Sequence, residues 1–217
     1  MKPILLINFK TYKSATGKKA VRLARICRAV AKKTGCKIIV APQIADIAAV
    51  SKIITTISQH VDHMEAGRAT GFTLPETIKA NGAVGSLINH AEHKISMKDL
   101  RKTIKRCKKL KLKTFVCAAN LNEANKIKQF KPDYIAYEVP ELIGTGKSIS
   151  TFAPKSVERF VKLLKRTKII PLCGAGISTG NDTKASLKLG CKGMLAASAV
   201  TKAKNPKKVL LDLCNLG

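Results

Sequence analysis

Three residues of different chemistry each follow a short apolar run in this chain of 217 residues: Lys10 after ILLINF, His90 after GSLIN and Glu138 after YIAY. A carboxylate can remove a carbon-bound proton beside a carbonyl. The charge that then builds on the carbonyl oxygen can be held by a lysine and an imidazole fixed in advance. Two further runs end in small residues, Gly174-Ala175-Gly176 and Ala197-Ser198. Loops of this kind let backbone N–H groups approach a phosphate. Taken singly, each feature has a plain explanation: a solvated lysine, a satisfied structural histidine, an ion-pair partner, an ordinary turn. The coincidence of all of them at the ends of apolar runs is what points to a site for proton transfer on a phosphorylated carbonyl compound.

Positioning such groups requires a regular frame, and the sequence has one. Short runs rich in Ile and Val predict strands over 4–9, 37–41, 56–61, 83–89, 114–118, 134–138, 169–173 and 193–197. Amphipathic stretches between them predict helices over 18–33, 44–51, 75–81, 97–109, 121–129, 154–166, 182–189 and 206–215, the second of them clipped. Thr73 and Glu76 read as a capping box for the third helix, and Asn205 before Pro206 as an N-cap with Pro at N1. Gly35, Gly82 and Gly190 stand where helices should stop. Most strand runs are continuously apolar, as in strands covered on both faces. Eight strand–helix units predict a closed (β/α)8 barrel rather than an open sheet, with residues 1–217 forming one barrel domain. In such barrels the functional groups gather at the C-terminal ends of the strands.

The bulk numbers narrow the function. Net charge is +28, from 41 Lys+Arg against 13 Asp+Glu, which raises the question of nucleic acid. The densest run, KDLRKTIKRCKKLKLK over 98–113, carries Leu100, Ile104, Cys107 and Leu110 at helical spacing, so it reads as a solvated helix face over a buried stripe. With no Trp, three Tyr and six Phe there is little material for stacking bases, and no specific nucleic-acid partner is expected. Seven cysteines without a C-x-x-C pair read as reduced thiols of a cytoplasmic protein. No apolar run reaches the length of a membrane span, and no membrane partner is expected.

Seven segments, in order, resemble the triosephosphate isomerase family in its short archaeal form: NFKTY (8–12), QHVD (59–62), TG (70–71) ahead of LPE, GAVGSLINHAEH (82–93), EVPELIGTG (138–146), CGAGISTG (173–180) and LAASAVTKAKNP (195–206). The resemblance implies a (β/α)8 barrel that interconverts glyceraldehyde 3-phosphate and dihydroxyacetone phosphate through an enediolate, in glycolysis and gluconeogenesis, with no cofactor and no metal. It implies Glu138 as the base, His90 as a neutral electrophile beside a helix N-terminus, and Lys10 as the stabilising cation. It places Asn8, Phe9, Lys10, Ile143, Gly144, Gly176, Ala197 and Ser198 against the substrate, and Pro140–Gly146 in a lid. It also implies a homo-oligomer, dimer or tetramer, with Thr70 on a loop that reaches into the neighbouring subunit. Three positions depart from the family pattern: Ala91 where serine is usual, His93 where arginine is common, and Ala199 where glycine is usual. A positive φ at Ala199 would strain the alanine by about 1 kcal/mol or more. Two other readings, a basic barrel serving as an RNA-binding module and a different phosphate-binding barrel, are disfavoured by the intact Lys–His–Glu set and by EVPELIGTG respectively.

Overall fold

The computed structural model describes residues 3–142 and 148–215. Seven parallel strands form one sheet: β1 (Ile4–Asn8), β2 (Lys37–Ala41), β3 (Gly85–Ile88), β4 (Lys113–Ala118), β5 (Tyr134–Tyr137), β6 (Ile170–Cys173) and β7 (Gly193–Ala196). Their spatial order is β2-β1-β7-β6-β5-β4-β3. Around them run α1 (Lys18–Thr34), α2 (Ile47–Ser51), α3 (Pro75–Ala80), α4 (Met97–Lys109), α5 (Leu121–Lys128), α6 (Ile149–Phe152), α7 (Pro154–Leu164), α8 (Gly180–Lys188), α9 (Ser198–Thr201) and α10 (Pro206–Leu213).

The ring is closed between β2 and β3 by the segment expected to be the third strand. It makes two isolated parallel bridges, Val40 to Thr56 and Ser58 to Ser86. Backbone bonds run to both neighbours, from Ile57 N–H to the Val40 carbonyl (2.9 Å) and from Leu87 N–H to the Ser58 carbonyl (2.8 Å). A continuous strand over 56–61 does not form because polar side chains take over its bonding. The Ser58 hydroxyl donates to the His60 carbonyl at 2.6 Å, and Gln59 Nε2 donates to the carbonyls of Lys10 and Ala41. The architecture is the (β/α)8 barrel expected, with its eighth strand position held by bridges rather than by a ladder.

Strand alternation sets everything that follows. Along β1, Ile4 and Leu6 join a cluster with Ile39, Leu87, Phe115, Tyr134, Leu172 and Leu195, which fills the barrel interior. Leu5 and Ile7 belong to the larger cluster between strands and helices. Successive side chains on a strand point to opposite faces, and all five residues of β1, four apolar ones and Asn8, are buried, so both of its faces are covered. The same alternation puts Tyr134 and Ala136 inside and Ile135 and Tyr137 outside on β5. The Phe115 and Tyr134 rings stack inside the barrel with centroids 4.1 Å apart.

The helices follow their local signals with two exceptions. Asn205 accepts from the Lys208 N–H with Pro206 at N1, as expected. On α4, Leu100, Ile104 and Cys107 are buried under a lysine-rich outer face, and Ser96 caps it by accepting from the Asp99 N–H. The capping box at Thr73 does not form. Leu74 occupies the cap of α3, the Thr73 N–H is taken by Asp62 Oδ2 at 2.7 Å, and Glu76 instead accepts from Arg106 at 2.7 Å. The clipped second helix starts as a 3-10 turn, Ile44–Asp46, before α2. The four-residue helices α6 and α9 lack the two turns of periodicity that would reveal them. All seven cysteines are free and buried. Among the described residues no helix is long and apolar enough to cross a membrane.

Candidate active site

Strand parity delivers the polar groups. Positions 4 and 6 point into the barrel, so Asn8 and Lys10 continue that face past the end of β1. Positions 134 and 136 point inward, so Glu138 does the same past β5. Leu172 and Leu195 place Gly174 and Ala197 on the inner face beyond β6 and β7. A cavity of about 370 Å3 opens there, with Lys10, His90, Glu138, Gly176, Ala197 and Ser198 in its wall.

Glu138 is 1% exposed, and among the described residues neither carboxylate oxygen has a hydrogen-bond partner. Burial pushes its carboxyl up to about 7, against opposing pulls from the Cys117 thiol and the Lys10 ammonium. A base that titrates near neutrality, with no protein contact to its carboxylate beyond the Cys117 thiol, is suited to taking a proton from a ligand. Its backbone is fixed, since the Glu138 N–H donates to the Ala118 carbonyl at 2.9 Å.

His90 enters the cavity through a break in alternation. The residue before it, Asn89, has φ of +63°, in the left-handed region that asparagine tolerates better than other non-glycine residues. The side chain of Asn89 holds that turn: Nδ2 donates to the Cys117 carbonyl and to Glu123 Oε1, both at 2.9 Å, and Oδ1 accepts from the Ile95 N–H. His90 Nδ1 accepts from the Glu92 N–H at 3.1 Å, so the ring proton sits on Nε2. Nε2 lies 3.7 Å from Glu138 Oε1. Burial drives the imidazole down to about 4, Glu92 opposing and Lys10 and Lys94 assisting, which keeps it uncharged at neutral pH. The N–H that meets Nδ1 belongs to a tight turn closed by His93 N–H on the His90 carbonyl (2.8 Å), ahead of α4, so the helix N-terminus expected to keep the ring neutral is not the group in contact.

Lys10 also has positive φ, +49°. Its N–H is held by Asn8 Oδ1 at 2.9 Å and its carbonyl by Gln59 Nε2 at 2.9 Å. Its ammonium pairs with Glu92 Oε1 at 2.7 Å. Phe9, of opposite parity, is fully buried among the helix-facing core residues and stays out of the cavity. Gly176 has φ of +69° and lets the loop after β6 run along the wall. Ala199 sits within α9 and is not among the positive-φ residues, so the strain anticipated there is absent. His93, in place of arginine, stacks on His60 with centroids 4.2 Å apart. Thr70 is exposed on the loop before α3. Ile143 and Gly144, and with them the end of the expected lid, lie outside the described residues.

Sequence reasoning did not assign roles to Glu92, Gln59 or Asn89. Each acts by holding another residue.

The family model for triosephosphate isomerase matches residues 3–216. Triosephosphate isomerase of Methanobacterium bryantii is 43% identical over 97% of this chain and 95% of that protein. The protein of the same name from Methanosarcina acetivorans is 42% identical over 99% of this chain and 98% of its own length, and that of Methanocaldococcus jannaschii 41% over 97% and 98%. The crystal structure of triosephosphate isomerase from Bartonella henselae overlays with a TM-score of 0.79 across 100% of this chain and 99% of that one. At 18% identity that overlay speaks for the barrel fold alone. With a match from end to end of the chain and identities above 40% to several methanogen relatives, this chain belongs to the triosephosphate isomerase family.

Proposed function

We propose that the chain, as one barrel, interconverts glyceraldehyde 3-phosphate and dihydroxyacetone phosphate in glycolysis and gluconeogenesis. The observation that carries this reading is a fully buried carboxylate, raised to about 7, that lies 3.7 Å from the protonated nitrogen of a neutral imidazole. Glu138 removes the proton from the carbon beside the carbonyl and returns it to the neighbouring carbon. His90 Nε2–H hydrogen-bonds the carbonyl oxygen as it gains charge, and a neutral imidazole can also pass its proton between the two substrate oxygens. Lys10 adds positive charge at the same place, its side chain aimed by Glu92 and its backbone by Asn8 and Gln59. The loops at Gly176 and at Ala197-Ser198 line the cavity where the phosphate would lie. The chemistry asks for no cofactor, and the reaction is placed in the cytoplasm.

A coupled assay of triose phosphate isomerisation on pure protein tests the reading, and turnover no higher than background overturns it. Because the base must be ionised, kcat/KM should rise with pH through an apparent pKa of about 7 and level off above it. A profile flat from pH 5 to 8 would remove Glu138 as the base. We further propose that the chain self-associates through the Thr70 loop. Phe72 and Ile44, 48% and 49% exposed, flank a cavity of about 430 Å3 beside His60 and His93, an apolar edge of the kind that interfaces cover. A molar mass in solution of at least twice the 23.4 kDa of the chain is expected.

A further inference from the structure

Strand β6 has a cavity at each end. The one that holds Glu138 opens beyond Cys173. The other, of about 690 Å3, lies where α7 leads into β6 and α8 into β7. Its floor is apolar: Val161 and Leu164 of α7, Ile169, Ile170 and Pro171 at the entry to β6, and Leu189 after α8. Backbone bonds fix the walls. Ile170 N–H donates to the Asp133 carbonyl at 2.9 Å and Lys192 N–H to the Pro171 carbonyl at 2.8 Å. In the turn between α7 and β6, the Thr167 hydroxyl donates to the Leu164 carbonyl at 2.8 Å and accepts from the Ile169 N–H at 3.1 Å. A ligand entering here would not have to order the walls first, which is a saving in binding free energy.

Around that floor stand Lys162, Lys165, Lys168 and Lys192, against a single carboxylate, Glu158. Among the described residues none of these four lysines is in an ion pair. Elsewhere on the surface Lys94, Arg106 and Lys113 each hold a carboxylate. Lys162 and Lys165 are three apart at the end of α7, a spacing at which like charges repel. An anion seated among the lysines relieves that repulsion while the floor takes its apolar body. A second copy of this chain is a poor occupant, because at a net charge of +28 two such rims repel each other. The volume falls instead within the roughly 300–1,000 Å3 of small-molecule sites, which combine an apolar lining with a few placed polar groups.

We propose that this cavity binds a small amphipathic organic anion, a compact apolar body carrying one carboxylate, at the end of the barrel opposite Glu138. The apolar residues bury the body, and the lysines at the rim receive the carboxylate. The four residues of β6 put roughly 13 Å of strand between the two cavities. No residue lines both, so the proposal goes beyond the isomerase reading and does not rest on it. Lys165 and Lys192 are exposed, so replacing their side chains leaves the barrel intact.

Calorimetric titration with 2-naphthoate tests this, with the uncharged 2-naphthamide as its comparison. The proteins are wild type, the neutralised double variant Lys165→Gln with Lys192→Gln, and the reversed double variant Lys165→Glu with Lys192→Glu. Wild type should bind 2-naphthoate saturably at a single site, about tenfold more tightly than 2-naphthamide. Neutralisation should weaken 2-naphthoate about threefold and reversal about tenfold or more, with 2-naphthamide unchanged in both. Far-UV circular dichroism checks that the variants keep the wild-type fold, and if the reversed variant does not, the neutralised one carries the test alone. Absence of saturable 2-naphthoate binding to wild type overturns the proposal. So does equal affinity for the acid and the amide, which would mean that the lysines take no part. Wild-type affinity for 2-naphthoate in the double variants also overturns it, since the anion would then be seated elsewhere.

Discussion

Glu138→Gln should cut kcat by about 10³-fold, within the range that a positioned acid or base contributes, while a phosphate-bearing mimic of the enediolate still binds. The same substitution should reshape the stability profile, and this second effect comes from the same burial. The carboxyl titrates at about 7 in the folded chain against 4.5 unperturbed, with burial as the largest cause. The native state therefore prefers the protonated form. The preference stabilises the fold fully below the unfolded value, is lost as pH rises from about 4.5 to about 7, and stays lost above it. At 1.36 kcal/mol per pKa unit the loss is on the order of 3 kcal/mol. Glutamine has no such titration. Its amide will be unsatisfied in the same place, but that cost does not change with pH. The melting temperature of Glu138→Gln relative to wild type should thus climb by several degrees between pH 4.5 and pH 8. A difference independent of pH would mean that Glu138 is ionised without penalty, and the account of its activation would fall with it.

The parts of this molecule that repeat were legible in the sequence. Seven of the eight strands could be read because continuous Ile/Val runs mark strands buried on both sides, and period-two alternation then says which residues meet in the barrel. Carried two residues past the strand ends, that alternation also aims Lys10 and Glu138. It argues equally against Phe9, whose odd position sends it into the helix-facing core with Leu5 and Ile7. What failed was reading through points where side chains replace backbone bonding. Ser58 and Gln59 dissolve the third strand into two bridges, and Asp62 takes the N–H on which a cap at Thr73 depended. His90 obeys neither rule, because Asn89 turns the chain through positive φ just before it.

The clearance around Glu138 leads to a second large expected effect. A Cβ on Gly174 would stand 2.5 Å from Glu138 Cγ, 3.1 Å from Oε1 and 3.2 Å from Cδ. The backbone cannot retreat, because the Gly174 N–H is bonded to the Tyr137 carbonyl at 2.9 Å and the Glu138 N–H to that of Ala118. The strain in Gly174→Ala must be relieved by the glutamate side chain, the nearest group that can rotate. A base displaced by about 1 Å from its proton loses roughly 10²-fold in rate. Gly174→Ala should therefore lower kcat/KM by about that factor. As the carboxylate moves toward solvent, the acid limb of the pH profile should shift below 7. Because both substitutions act on one group, Gly174→Ala combined with Glu138→Gln should be no worse in kcat than Glu138→Gln alone. Losses that multiply in the double variant would show that Gly174 contributes through something other than the place it leaves for the base.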